Sequence, residues 1–335
     1  MAKAVEQKAR ETGPAAKWVG YRSDIKVLDC TIRDGGLMND HQFTPDLVRA
    51  VYAACCDAGI DYMELGYKAS QRIYSPAEYG HWKFSTEEEL RRVVGEKHGG
   101  VKLSVMADVD RTDYHEDILP RDKSVIDMVR VACYINQIPA ALDMLKDARD
   151  KGYETTVNLM AVSVVREREL DEALELLAES EAETLYLVDS FGALYSEQIH
   201  YMIGKYLRYA RQNGKQVGIH THNNLELAFA NTIEAIVKGA NMLDASMAGL
   251  GRGAGNCRME LLLGFLHNPK YKLRPVLQCI QEHIEPMRAQ LLWGFDSPYM
   301  LTGFRNQHPR AAMKHNAAPD AADKVKFFDE LVDEQ

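Results

Sequence analysis

The feature that most constrains the fold is a rhythm. Short runs of β-branched and other apolar residues alternate with longer segments of helical period along most of the chain. The runs cover residues 25–30, 62–66, 101–107, 128–133, 154–161, 184–188, 217–220 and 242–246. Helical patterns fall at 45–58, 87–97, 137–151, 169–181, 196–212, 225–238 and 258–266, several opened by Ser, Thr or Pro and several closed by Gly. Strict alternation implies parallel strands joined by crossovers, and eight such units in about 240 residues is the size of an α/β chain folded as a (β/α)8 TIM barrel. An open doubly wound sheet is the competitor, but it needs a glycine fingerprint after its first strand. Here that turn reads RDGGLMND. Beyond residue 273 the strand signals stop, and Pro298, Pro309 and Pro319 punctuate two or three helices. The expected organisation is an N-terminal arm at 1–22, a catalytic barrel at 23–270 and a C-terminal helical extension at 271–335.

Composition narrows the partners. The 335 residues are 46% hydrophobic, enough for a large core, and the net charge of -9 argues against a phosphate-rich partner, which needs clustered Lys and Arg. No nucleic acid is expected, and no membrane, because no long uncharged apolar run occurs. The first 22 residues mix Lys, Arg and Glu with no apolar centre, an arm rather than an address. Six scattered cysteines without a CxxC pair read as buried thiols, which points to a reducing, cytoplasmic setting.

In a barrel of this kind the working residues stand where strands end. The polar residues there are Arg33, Asp34, Glu64, Asp108, Arg130, Asn158, Asp189, Ser190, His220, His222 and Asp244. A strand end facing water is also polar, so no single residue decides. The stretch LDCTIRDGG places Arg33 beside Asp34. Either the two form a solvated turn, or a guanidinium and a carboxylate are held at a strand edge for chemistry. In VGIHTHNN, His220 and His222 are two apart, so both imidazoles project to one side of an extended segment and can reach one cation. The competing reading is a surface or core pairing. With Asp34 from the first strand they make a two-histidine, one-carboxylate set with open positions. Mn2+ or Mg2+ is favoured where substrate chelates through oxygen, while Co2+ and Zn2+ also fit. A 2-oxo acid chelated through its ketone and carboxylate develops charge on the ketone oxygen as an enolate forms, and Arg33 is placed to stabilise it. The segment GLGRGAGN, 249–256, follows the eighth strand. Its glycines let backbone approach a ligand that Asn256 orients, or it is simply a flexible loop into the next helix.

Together these stretches resemble the DRE-TIM metallolyases, and within them the 4-hydroxy-2-oxovalerate aldolase type. The matching segments are LDCTIRDGG, IDYMELGY, MVRVACY, LYLVDSFGALY, the run from VGIHTHNN through GLGRGAGNCRMELLL, and more loosely SPYMLTGFRNQHPRAAMKHN. The resemblance implies a metal-dependent aldolase with ligands Asp34, His220 and His222 and an enolate-stabilising Arg33. It implies that Ser190 seats the substrate carboxylate, that Glu64 orients Arg33 and that Tyr299 lines the acceptor pocket. The implied reaction is retro-aldol cleavage of a 4-hydroxy-2-oxo acid to pyruvate and an aldehyde, or the reverse. The expected partners are therefore a small pyruvate-like 2-oxo acid and an aldehyde or acyl acceptor. One position departs from the pattern: the aldolase branch carries its base as a histidine where this chain has Leu37. His41, Tyr67, Lys68, His81 or a bound water then become candidates for the proton transfer. Three alternatives share much of the site. A Claisen-type acyl-CoA synthase reads DGEQ where this chain has DGGL. An acyl-CoA lyase needs a cysteine-bearing glycine loop, only partly echoed by Cys257. A barrel that binds metal and oxo acid without catalysis is the third. Apolar C-terminal helices suggest a homodimer, and the short C-terminus argues against a channelling dehydrogenase partner.

Overall fold

The computed structural model describes residues 22–95, 100–319 and 321–333; the expected arm at 1–22 lies almost wholly outside them. Eight parallel strands close into a barrel in sequence order. They are β1 Lys26–Asp29, β2 Tyr62–Tyr67, β3 Lys102–Asp108, β4 Met128–Cys133, β5 Glu154–Leu159, β6 Thr184–Asp189, β7 Gln216–Thr221 and β8 Met242–Ala245. The TIM barrel anticipated from the alternation is thus the architecture found.

The helices outside the barrel are α1 Pro45–Ala58, α2 Glu87–Val94, α3 Ile138–Asp150, α4 Glu167–Glu179, α5 Ser196–Gln212, α6 Ala228–Lys238 and α7 Met259–Leu266. Local chemistry sets their ends. Thr44 caps α1 by accepting a hydrogen bond from the Leu47 amide at 3.3 Å, Pro45 occupies the first turn, and Gly59 stops the helix at φ +75°. Between β3 and β4 there is no such helix, only single turns at Tyr114–Asp117 and Arg121–Lys123. The expected helix at 87–97 ends at Val94, and residues 96 and 97 lie outside the described set.

Alternation along each strand divides the core in two. Outward residues such as Val27, Leu103, Val105, Leu185, Leu187 and Ile219 are fully buried against the helices in one large apolar cluster. Inward residues Leu28, Cys30, Tyr62, Met128, Tyr186, Val188 and Met242 form a separate, smaller cluster inside the barrel. Burial of each large apolar side chain contributes about 1.5–3 kcal/mol, so the outer cluster dominates stability. Past α7, helix α8 Leu273–Cys279 packs on α1, and Tyr271 donates to Asp61 Oδ2 at 2.6 Å. Helices α9 Ser297–Phe304, α10 Arg310–Asn316 and α11 Lys324–Asp333 gather on the glycine loop through Ala254, Tyr299, Ala312, Phe327 and Leu331. Among the described residues no helix is long and apolar enough to cross a membrane. All six cysteines are free thiols, five of them buried.

Candidate active site

β1 stops at Asp29, and the next five residues, Thr31–Gly35, wind into a helical turn. Asp29 enforces the change of direction: it accepts hydrogen bonds from the Thr31 amide at 3.1 Å and the Thr31 hydroxyl at 2.6 Å. Arg33 and Asp34 therefore stand on the turn that follows the C-terminal end of the strand, and that turn is helical. Neither is a solvated turn residue, since both are buried. Arg33 Nη1 bonds Asp34 Oδ1 at 3.0 Å and Arg33 Nε bonds Glu64 Oε2 at 2.7 Å.

Glu64, on β2, also accepts from Arg130 of β4 at 2.9 Å. Arg130 crosses the barrel to Asp244 of β8 at 2.6 Å, with its guanidinium 4.4 Å from the Tyr186 ring centre. Asp244 in turn accepts from His220 Nδ1 at 2.9 Å. One chain of charge-assisted hydrogen bonds thus links Asp34, Arg33, Glu64, Arg130, Asp244 and His220, all of them buried. Burial raises the Asp34 carboxyl, but the Arg33 guanidinium beside it outweighs that and holds it well below the usual carboxylate range.

His220 closes that chain and His222 begins another, its Nδ1 meeting the Asp189 carbonyl at 3.1 Å. A carbonyl and a carboxylate can only accept, so both Nδ1 atoms carry the proton. Both Nε2 lone pairs are then turned inward, at 3.7 and 3.4 Å from Asp34 Oδ2. Three acceptor atoms within 4.8 Å of one another repel unless a cation lies among them, and among the described residues His220 Nε2 has no hydrogen-bond partner. The donor set fits a divalent ion. Burial, with the Arg252 guanidinium beside it, pushes the His222 imidazole down to about 4, so a proton is not that cation at neutral pH.

The glycine loop lies over this group. Asn256 Nδ2 bonds Asp34 Oδ2 and its Oδ1 is left without a partner. A Cβ at Gly251 would stand 2.9 Å from Asp34 Oδ2, which is why the loop needs glycine there. Arg252, not singled out from sequence, bonds the Ser190 carbonyl and reaches His222 Nε2 and His308 Nε2, each at 3.4 Å. Ser190 Oγ accepts from the Ala161 amide at 2.8 Å and keeps its own proton to donate.

Other expected residues fall elsewhere. His41 is buried edge-on to Tyr67, ring centres 5.3 Å apart, with Nδ1 partnerless. Burial, then Lys83 and Arg33, push it down to about 3. Tyr299 sits on α9 with its ring against Gly253 of the glycine loop and packs with Ala254, Ala312 and Phe327. Lys68 turns to the Ser85 carbonyl at 2.7 Å, and His81 is exposed beside Glu89. Leu37 joins an apolar wall with Tyr67, Ala69, Phe84, Met106 and Ala132. Arg130 and Asp244 were visible in the sequence as strand-end charges, but their pairing across the barrel carries no local signal.

Fold and site together define a barrel whose catalytic rim presents one carboxylate, two imidazoles and an arginine around a point suited to a divalent ion. The family model described as HMGL-like matches residues 125–283. A 4-hydroxy-2-oxovalerate aldolase of Pelotomaculum thermopropionicum is 30% identical over 286 residues, 84% of this chain and 82% of that protein. An oxaloacetate decarboxylase of Mycobacterium tuberculosis is 31% identical over 245 residues, 72% of this chain and 69% of that protein. Among solved structures, the N-terminal domain of a candidate aldolase from Bacteroides vulgatus superposes with a TM-score of 0.73 at 27% identity, covering 90% of this chain and all of that one. The chain belongs to the HMGL-like family.

Proposed function

We propose that this protein is a divalent-metal-dependent carbon–carbon lyase acting on a 2-oxo acid through its enolate. It cleaves a 4-hydroxy-2-oxo acid to a pyruvate-type acid and an aldehyde, or joins the two. The observation that carries this reading is the convergence of Asp34 Oδ2 and two unprotonated Nε2 atoms beside a buried arginine. Asp34, His220 and His222 would hold the ion, Mn2+ or Mg2+ by the oxygen chemistry of the substrate. When bound, it supplies Lewis-acid polarisation of the ketone. Arg33, fixed from behind by Glu64, holds its guanidinium where the enolate oxygen becomes negative, a contribution of roughly 3–4 kcal/mol in comparable sites. The Ser190 hydroxyl and Arg252 receive the substrate carboxylate. Asn256 fixes the Asp34 carboxylate through its amide. Proton acceptance falls to His41 Nδ1, the one buried imidazole nitrogen outside the ligand pair that lacks a partner among the described residues. An anionic substrate beside Arg33 offsets part of the charge that, after burial, depresses its basicity.

One observation favours a second reading, decarboxylation of a 3-carboxylated 2-oxo acid. Leu37 lies in an apolar wall and cannot move a proton, and loss of CO2 generates the same enolate with no base at all. One experiment tests both. The Mg2+-loaded protein is mixed with pyruvate in heavy water, and separately with oxaloacetate. Methyl-proton exchange that stops on adding a chelator supports the aldolase. Oxaloacetate turnover without exchange supports the decarboxylase, and neither signal removes both.

A further inference from the structure

The segment between β2 and α2 holds a cation that the chemistry above leaves unused. Lys83 is only 6% exposed, and among the described residues no carboxylate oxygen lies within 4.0 Å of its Nζ. In place of a counter-ion it has three aromatic faces: Nζ stands 4.7 Å from the ring centre of Tyr67, 4.2 Å from Tyr74 and 5.7 Å from Tyr79. Cation–π contact offsets part of the desolvation of an ammonium, but it satisfies none of the three N–H donors. An anion at that spot would do both.

The cage is rigidly built. The Ala69 amide donates to the Lys83 carbonyl at 3.1 Å, the neighbouring Trp82 Nε1 donates to the Phe43 carbonyl at 2.9 Å, and Tyr74 and Tyr79 pack edge-on at 5.3 Å. The Gly80 amide donates to the Asp40 carbonyl at 2.8 Å, and a Cβ at Gly80 would overlap the His41 carbonyl, so the loop is pinned to the segment after Asp34. The cage also borders the catalytic rim. Tyr67 is shared: the Arg33 guanidinium lies 5.9 Å from its ring centre and the His41 ring 5.3 Å. Between the cage and the strand ends runs the apolar wall of Leu37, Met106 and Met160. Asp108, at the end of β3, faces Arg111 at 3.6 Å and acts on Lys83 only at longer range.

An apolar wall that starts beside the enolate-stabilising arginine and ends on a fixed, unpaired cation suits a short carbon chain with an anionic end. We propose that Lys83, held by Tyr67, Tyr74 and Tyr79, is the specificity-determining residue for the second substrate, so that the aldehyde partner bears a terminal carboxylate or phosphate. This inference rests on the aldolase reading, and its test separates the two.

Aldol addition of pyruvate is measured with succinic semialdehyde, with glyceraldehyde 3-phosphate and with butanal, a neutral aldehyde of similar length. One of the anionic aldehydes should exceed butanal in kcat/KM by about a hundredfold in the wild type, which also says which anion is taken. Lys83→Met should remove that ratio, mainly through KM for the anionic aldehyde, and Lys83→Arg should keep most of it. Equal use of all three aldehydes by the wild type, or an equal loss with all three in Lys83→Met, overturns the proposal. A catalysis-free measurement stands beside it. Butyrate, titrated with Mg2+ and saturating pyruvate present, should show NMR line broadening with wild type and Lys83→Arg but not with Lys83→Met. Unbroadened butyrate in the wild type overturns the Lys83 site whatever the enzyme does. Absence of pyruvate exchange in heavy water removes the aldolase reading while the butyrate result still decides the site.

Discussion

The two faces of the same eight strands are built on opposite principles. Outward, Leu103, Val105, Leu185 and Leu187 are fully buried in an apolar layer under the helices. Inward, the lower barrel is filled by Tyr62, Met128, Tyr186 and Met242, but one layer higher the space is given to Glu64, Arg130, Asp244 and His220. A buried ionic layer is a poor way to stabilise a core, because desolvating each charge costs several kcal/mol that the pairing only roughly returns. It leaves loose ends as well: among the described residues Glu64 Oε1, Arg130 Nε, Asp244 Oδ1 and His220 Nε2 all lack hydrogen-bond partners. The outer face holds the fold together, and the inner face spends stability on aiming Arg33, Asp34 and His220 at one point.

Substitutions can break that contrast. Asp34→Ala removes the only carboxylate among the three converging atoms, and pyruvate exchange should fall by about a thousandfold or more. Arg33→Lys keeps a charge but cannot bridge Glu64 and the reacting oxygen together, and kcat should drop by about a hundredfold with little change in KM. Arg130→Met takes the buried cation from Asp244 and leaves Glu64 with Arg33 alone, and urea denaturation should show a loss of about 3–5 kcal/mol together with weakened metal affinity. Leu185→Ala on the outer face should cost about 2–4 kcal/mol of stability while kcat/KM stays as it was. Equal activity losses in the last two variants would erase the distinction between the faces.

A further contrast concerns pH. His41 titrates near 3 in the folded chain, against an ordinary value of 6.5 when unfolded. The unfolded chain therefore takes up a proton first as pH falls, and His41 lowers stability between about 6.5 and 3 by up to roughly 1.4 kcal/mol per pH unit. Asp29, raised by burial to about 7, has the opposite sign, contributing stability at low pH that is lost as pH rises toward 7. In denaturation curves recorded across this range, His41→Gln should flatten the acid side relative to wild type.

Much of the barrel was legible because its signals are local. Runs of β-branched residues marked the strands, and Thr44, Pro45 and Gly59 bounded α1 at the residues where it begins and ends. Ser196–Gln212 was likewise readable end to end. In the site, the HxH spacing and the Arg-Asp pair pointed to residues that do converge. What failed to show in the sequence depends on closure of the barrel. The turn that lifts Arg33 and Asp34 off β1 arises from Asp29 folding back on Thr31, a polar capture hidden inside an apolar run. The Glu64–Arg130–Asp244 bridge joins strands 114 residues apart at its wider span. Nothing local in the sequence sets Lys83 apart, because the three tyrosines around it come from one strand end and one loop that meet only in the fold. Tyr299, expected at the acceptor pocket, packs on the glycine loop with Ala254, Ala312 and Phe327, a contact 45 residues along the chain that carries no local signal.

The central claim is that one ion held by Asp34, His220 and His222 meets the oxo acid directly. Paramagnetic relaxation of the pyruvate methyl protons by added Mn2+ reads that contact without requiring turnover. Strong enhancement with wild type and none above free Mn2+ with Asp34→Ala is the expected result. The same enhancement in both proteins, or in neither, contradicts it.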